Sequence, residues 1–204
     1  MLKRMVISPH IDDEVLGCGG QLDRNTFVIE CGVDDFHVVS REERLQELNY
    51  VREIKGFEYT LLDNKVNKYE VSPLIEQITH EINRIQPDEI FIPYPSYNQD
   101  HQAVYKASMV ALRPHDQNYF VKRVFVYEET QVIAWDYSRS IGDSFKPNFF
   151  RAVDIEEKLY LYSLLKSQVR SFRSPEFLRE LAQIRGRQSQ LQFAEAFQCL
   201  RFVE

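Results

Sequence analysis

Four short apolar runs mark the first half of the chain: Met5 to Ser8, Phe27 to Val33, Tyr59 to Leu62 and Glu89 to Pro93. Runs of this length between polar segments predict strands. The last, within EIFIPY, is apolar without a break at its centre, as expected of a strand covered on both faces. Between the runs the apolar residues recur at helical spacing. One such segment starts near Ser40, passes Leu45, Leu48 and Val51, and stops at Gly56. Another has Ser72 as its expected cap and Pro73 at its first helical position, with Leu74, Ile75, Ile78 and Ile82 following. Alternating strands and helices imply a mostly parallel sheet with right-handed crossovers. The expected class is α/β, a Rossmann-like three-layer fold with helices on both faces.

The second half is less regular. A helix is expected over 102–112 and a strand from Tyr119 to Tyr127. From Glu129 to Asn148 the chain is aromatic, polar and aperiodic, and loops longer than about 12–15 residues are uncommon unless they serve a function or are disordered. Helical spacing returns from Ile155 to Gln168 and from Pro175 to Arg185, before an apolar tail. No repeat, low-complexity tract or linker interrupts residues 1–204, so a single domain is expected. A chain of this length buries about 70% of the surface it exposes when unfolded.

Charge narrows the partners. The formal net charge of −6 argues against nucleic acid and against an anionic membrane surface, since both need a positive face. No apolar run approaches the roughly 20 residues that cross a bilayer. The start, MLKRMVISPH, lacks the apolar core and cleavage site of a signal peptide. Three cysteines, Cys18, Cys31 and Cys199, suit a reducing compartment better than a disulfide framework. A cytoplasmic enzyme is the expectation, and self-association into a homo-oligomer stays open.

Two stretches carry candidate chemistry, and each follows a predicted strand: SPHIDDEVLGCGG at 8–20 and PYPSYNQDHQAV at 93–104. In an open α/β sheet, ligands collect beyond the carboxyl ends of the strands, so the fold can bring the two together. The first supplies His10, Asp12, Asp13 and Glu14, with Gly17, Gly19 and Gly20 expected to let the backbone turn. Adjacent aspartates cannot share an orientation, so one can face a metal while the other faces a substrate. The second supplies Asp100 and His101. Two histidines and a carboxylate leave an open coordination position, as a catalytic zinc site requires. Each residue alone has a plainer reading, since aspartate at a strand-to-helix junction is commonly an N-cap and Asp100 could be one. Four acids and two histidines at two strand exits are harder to explain as caps.

With these residues in view, the chain resembles the LmbE-like (PIG-L) N-acetylglucosamine deacetylases. His10-Ile11-Asp12-Asp13-Glu14 resembles their His-Pro-Asp-Asp-Glu signature, and Asn98-Gln99-Asp100-His101 resembles their His-x-Asp-His motif. Arg44 and Glu47 resemble an Arg-x-x-Glu helix of the family. Lys158, Ser167, Gln168, Arg185-Gly186 and the run from Phe193 to Phe197 resemble its C-terminal signature. The resemblance implies metal ligands at His10, Asp13 and His101, a general base at Asp12, and a supporting acid at Asp100 that orients a histidine. It places Arg44 at a substrate position, although Arg44 and Glu47 could equally be an i,i+3 surface ion pair.

Two departures stand out. Ile11 replaces the signature proline. Asn98 replaces a histidine thought to assist the transition state, which leaves the proton donor open and Tyr97 as the next residue to consider. Trp135 and Tyr137, in the aperiodic stretch, offer aromatic faces on which a sugar could stack. The implied reaction is hydrolysis of an acetamide on an N-acetylglucosamine-type sugar, free or linked to a nucleotide, lipid or glycoconjugate, releasing acetate and an amine. Zn2+ is the first expected metal and Fe2+ the second. The alternatives are an N-acyl hydrolase for another substrate and a non-catalytic sugar-binding protein.

Overall fold

The computed structural model describes residues 2–33, 39–116, 118–130 and 145–204. Among them, β1 (Arg4–Ser8), β2 (Thr26–Gly32), β3 (Glu58–Asn64), β4 (Glu89–Pro93), β5 (Arg123–Tyr127), β6 (Phe149–Ala152) and β7 (Ala194–Phe202) form one seven-stranded sheet in the order β3-β2-β1-β4-β5-β7-β6. The first five run parallel, and β7 lies antiparallel between β5 and β6. The α-helices with described bounds are α1 (Asp13–Cys18), α2 (Arg41–Lys55), α3 (Val71–Ile85), α4 (Gln99–Ala111), α5 (Ile155–Leu164) and α6 (Pro175–Ser189).

Alternation along the strands splits the core in two. Val6, Val28, Phe91 and Phe125 point to one face, where they meet Leu48 and Val51 of α2, Leu161 of α5 and Leu178 of α6. Met5, Ile7, Ile29, Ile90 and Ile92 point to the other, against Leu74, Ile78 and Ile82 of α3 and Val104 and Ala107 of α4. Residues of both strand faces are fully buried, which is why these runs read as unbroken hydrophobics. The expected three-layer α/β fold is the observed one.

Local signals set several boundaries as read. Ser40 Oγ accepts from Glu43 N at 3.2 Å to start α2, and Gly56 ends it at φ 76°. Others shift. α3 begins at Val71 with Glu70 as its N-cap and no side-chain cap, so Ser72 is not the cap and Pro73 sits at the third helical position. Proline is tolerated there because the first four N–H groups of a helix lack intrahelical partners. α4 begins three residues earlier than expected, at Gln99, and the strand expected from Tyr119 starts only at Arg123. The tail proves to be β7, and an unexpected strand, β6, directly follows the aperiodic stretch; residues 131–144 of that stretch, with Trp135 and Tyr137, lie outside the described residues. No described helix is long and apolar enough to cross a membrane.

The glycines after α1 begins serve close packing and not the tight turning expected of them. Among the described glycines only Gly56 has positive φ. A Cβ on Gly17 would lie 2.2 Å from the Tyr127 ring, and one on Gly20 2.8 Å from Val153 Cγ2. Tyr127 is itself pinned, its hydroxyl donating to the Ile7 carbonyl at 2.9 Å. Gly17→Ala is therefore expected to destabilise the protein by about 1–3 kcal/mol, the usual cost of overpacking a core. Denaturant unfolding measures this, and an unchanged midpoint would mean that the α1–β5 contact yields freely.

A candidate metal centre beyond β1 and β4

The sheet order places the two candidate stretches side by side. β1 pairs with β2 on one flank and β4 on the other, with Arg4 opposite Glu89 and Val6 opposite Phe91. The chain winds outward through β2 and β3, then crosses back to β4, so the β1–β4 junction is where the winding reverses. Such a switch point leaves a crevice beyond the strand ends. His10 to Asp13 leave the end of β1, and His101 sits in the first turn of α4, which follows β4.

Asp13 Oδ2 lies 3.2 Å from His101 Nε2 and 3.5 Å from His10 Nδ1, and accepts from the His10 backbone N–H at 3.0 Å. His10, Asp13 and His101 each offer a ligand atom, all within 4.8 Å of one another. Donors about 2.1 Å from a tetrahedral zinc stand about 3.4 Å apart, so the spacing around Asp13 suits such an ion. The buried Nδ1 of His101 has no hydrogen-bond partner among the described residues. The residues thus fit a divalent cation, and these three would hold it.

Asp100 stands behind His10. Its Oδ2 is 3.0 Å from His10 Nε2 and accepts from Asn67 N at 2.6 Å, while Oδ1 accepts from Tyr69 N at 3.4 Å. In the neutral imidazole, with Nε2 donating to Asp100, the lone pair of His10 resides on Nδ1, the nitrogen that faces Asp13. A carboxylate that fixes the tautomer of a ligating histidine is a recurrent support for metal sites. Tyr69 adds a second wall, stacking on the His10 ring at 5.9 Å.

Electrostatics follow from burial and this shared oxygen. Burial alone would lower the pKa of His10, but the hydrogen bonds to Asp100 and Asp13 raise it to about 10. His101 is likewise lowered by burial and raised overall by Asp13. Burial would push Asp13 up, yet the two imidazoles hold it well below the usual carboxylate range. Glu14, buried beneath them with its Oε2 accepting from Asp12 N at 2.9 Å, is pushed up to about 8, mainly by burial.

Asp12 diverges from its neighbour. Its backbone is at φ 134°, ψ −28°, a conformation that costs a non-glycine residue about 1–3 kcal/mol and that clusters at functional sites. Its carboxylate turns to Arg173, whose Nη1 is 2.9 Å from Oδ2. Burial raises the pKa of Asp12, and the guanidinium opposes that rise. Arg173 escaped the sequence reading. It lies 161 positions from Asp12, in no recognisable motif, and only the fold brings it to the site.

The remaining candidates are placed as follows. Asn98 is the N-cap of α4, its Oδ1 accepting from Asp100 N at 2.8 Å, so Asp100 is free of the capping role once open to it. Tyr97 is 38% exposed at the rim. Arg44 is only 2% exposed; its Nη2 donates to the Ile11 carbonyl at 2.7 Å and its Nη1 lies 3.4 Å from Ser167 Oγ. Glu47 accepts from both the N–H and the hydroxyl of Ser167, so Arg44 and Glu47 meet through that serine, buried and away from the helix surface.

No protein-family model matches the chain, and no curated protein does either. Solved structures do match in fold. A conserved protein of Thermus thermophilus, TT1542, is 22% identical with a TM-score of 0.81, over 100% of this chain and 97% of that one. The N,N'-diacetylchitobiose deacetylase of Pyrococcus horikoshii is 19% identical with a TM-score of 0.77, over 98% and 84%. GalB, a 4-carboxy-2-hydroxymuconate hydratase of Pseudomonas putida, is 17% identical with a TM-score of 0.78, over 100% and 99%. The chain shares their fold. A deacetylase and a hydratase on one fold leave the chemistry to be argued from the site.

Replacing His10 or His101 with Ala is expected to strip bound zinc at modest chelator concentration, and Asp100→Asn to weaken zinc about 10- to 100-fold. Elemental analysis against a chelator series measures both. Full occupancy in either histidine variant would remove that residue from the ligand set.

Proposed function

We propose that the chain is a metal-dependent N-deacetylase of the LmbE-like type, acting on an acetylated amino sugar and releasing acetate. The observation that carries this reading is the convergence of His10, Asp13 and His101 beside a backbone-strained, buried Asp12. A divalent ion held by the three, zinc first and ferrous iron second, would supply Lewis acidity and make water a usable nucleophile near neutral pH. Asp12 accepts a proton from the attacking water as its oxygen bonds to the acyl carbon. The C–N bond then breaks, and Asp12 returns that proton to the departing nitrogen, giving acetate and a free amine. Asp100 holds the His10 ring throughout. Tyr97, and Trp135 outside the described residues, are proposed to contact the sugar.

Asn98 has one half of its amide committed. Its Oδ1 caps α4, which leaves the NH2 group as a donor that cannot release a proton near neutral pH. In this reading Asn98 steadies the oxyanion as a dipole and Asp12 alone moves protons. Asn98→Asp separates the two halves, because aspartate keeps the cap but loses the donor. The expected result is an unchanged unfolding midpoint with turnover reduced roughly 10²–10³-fold, the usual loss of one oxyanion donor. Normal turnover would leave Asn98 as a cap only.

The decisive assay is acetate release by zinc- and iron-loaded protein from N-acetylglucosamine, N,N'-diacetylchitobiose, nucleotide-linked and lipid-linked acetylated sugars. Release from at least one is expected, and Asp12→Asn should retain the metal while losing at least ~100-fold in turnover. Binding of a sugar without acetate release would favour a binding protein. Release from a non-sugar amide would favour the broader N-acyl hydrolase.

A further inference from the structure

The turn that carries Asp12 is held at two adjacent residues by one chain of hydrogen bonds that an ion pair closes. At one end, Arg44 Nη2 donates to the Ile11 carbonyl at 2.7 Å. Arg44 Nη1 reaches Ser167 Oγ at 3.4 Å, and Gln168 Nε2 donates to the same oxygen at 3.1 Å. Gln168 Oε1 in turn accepts from Arg173 Nη2 at 3.0 Å. Arg173 Nη1 closes the ring on Asp12 Oδ2 at 2.9 Å. The two arginines at its ends are 2% and 6% exposed, so their polar contacts lie where they are worth most and cost most to lose, while Ser167 and Gln168 between them are half-buried.

The segment that delivers Arg173 is itself braced. Tyr162 Oη lies 3.0 Å from both the Gln168 and the Arg173 carbonyl oxygens, and Arg173 N donates to the Arg170 carbonyl at 3.2 Å. Glu47 accepts from the Ser167 N–H and hydroxyl, fixing the middle of the ring to α2. The object so firmly held is the one described residue of the site at φ 134°, a conformation that must be over-determined by its surroundings to persist.

We infer that Arg173, backed by Gln168, Ser167 and Arg44, is a positioning device that holds the Asp12 carboxylate and its strained backbone in the working orientation. The inference rests on the proposed role of Asp12 as the base. It also gives Arg44 a task at the turn: the buried guanidinium holds the backbone next to the base through its bond to the Ile11 carbonyl. Gln168 touches neither metal ligand nor base, yet its loss should be felt at Asp12 through Arg173.

Two arms test this. In the first, thermal unfolding of metal-free protein is compared for the wild type, Arg173→Met, Asp12→Asn and the double variant. Arg173→Met should lower the midpoint, because it leaves a buried carboxylate unpaired, and adding Asp12→Asn should recover most of that loss. Additive effects would overturn the pairing whether or not the protein is a deacetylase. In the second, zinc-loaded variants are assayed on N,N'-diacetylchitobiose or whichever acetylated sugar the wild type cleaves. Arg173→Ala and Gln168→Leu should lower kcat at least about tenfold, change KM less than about twofold and retain zinc. Added guanidinium should restore part of the Arg173→Ala rate. Unchanged kcat, or a loss that guanidinium leaves untouched, would overturn the positioning role. Should the wild type release no acetate from any sugar, the deacetylase reading fails and the first arm alone decides the clamp.

Discussion

A single carboxylate oxygen, Asp13 Oδ2, receives the His10 backbone N–H and stands between two imidazoles that come from opposite ends of the first half of the chain. Buried negative charge demands compensation, and three positive or polar partners converge on this atom because the sheet allows it. The parallel pairing of β1 with β4 brings the strand exits together, and the reversal of winding at that junction keeps helices from filling the space above. Asp100 behind His10 and Arg173 behind Asp12 then fix what the convergence creates. A one-residue slip of the β1–β4 register would turn a strand's core residues to the wrong face and displace the two strand exits from each other.

Much of this was legible in the sequence, and for physical reasons. Strands buried on both faces leave unbroken apolar runs, so β1, β2 and β4 were read close to their bounds. The histidines and acids at 10–13 and 100–101 were read as one cluster because strand ends are where such folds gather ligands. What escaped depends on long-range contact. Arg173 has meaning only through its 2.9 Å approach to Asp12. β7 is buried at its start and half-exposed beyond it, so its pattern is neither a core strand nor a clean alternation. The glycines at 17 and 20 looked like turn residues, yet space beside Tyr127 and Val153 is what requires them.

Asn98 shows how a departure from a pattern can be neutral in one respect and consequential in another. As the N-cap of α4 it performs a task that needs only a short side chain with an acceptor oxygen. As the occupant of a position where the motif it resembles carries histidine, it offers no titratable group there. In the proposed reading the chemistry is thereby concentrated on Asp12, whose strained backbone and buried guanidinium partner set it apart from every other acid in the site. Shared fold does not make this choice, since one neighbour of similar shape is a deacetylase and another a hydratase.

X-ray absorption spectroscopy of the zinc-loaded protein tests the ligand set directly. Two imidazole nitrogens and a carboxylate oxygen, completed by light-atom scatterers at about 2.0–2.2 Å, are the expected first shell. A sulfur scatterer at about 2.3 Å would place a cysteine on the metal, and a shell without imidazole scattering would place the ion elsewhere. Either result would contradict a centre built from His10, Asp13 and His101.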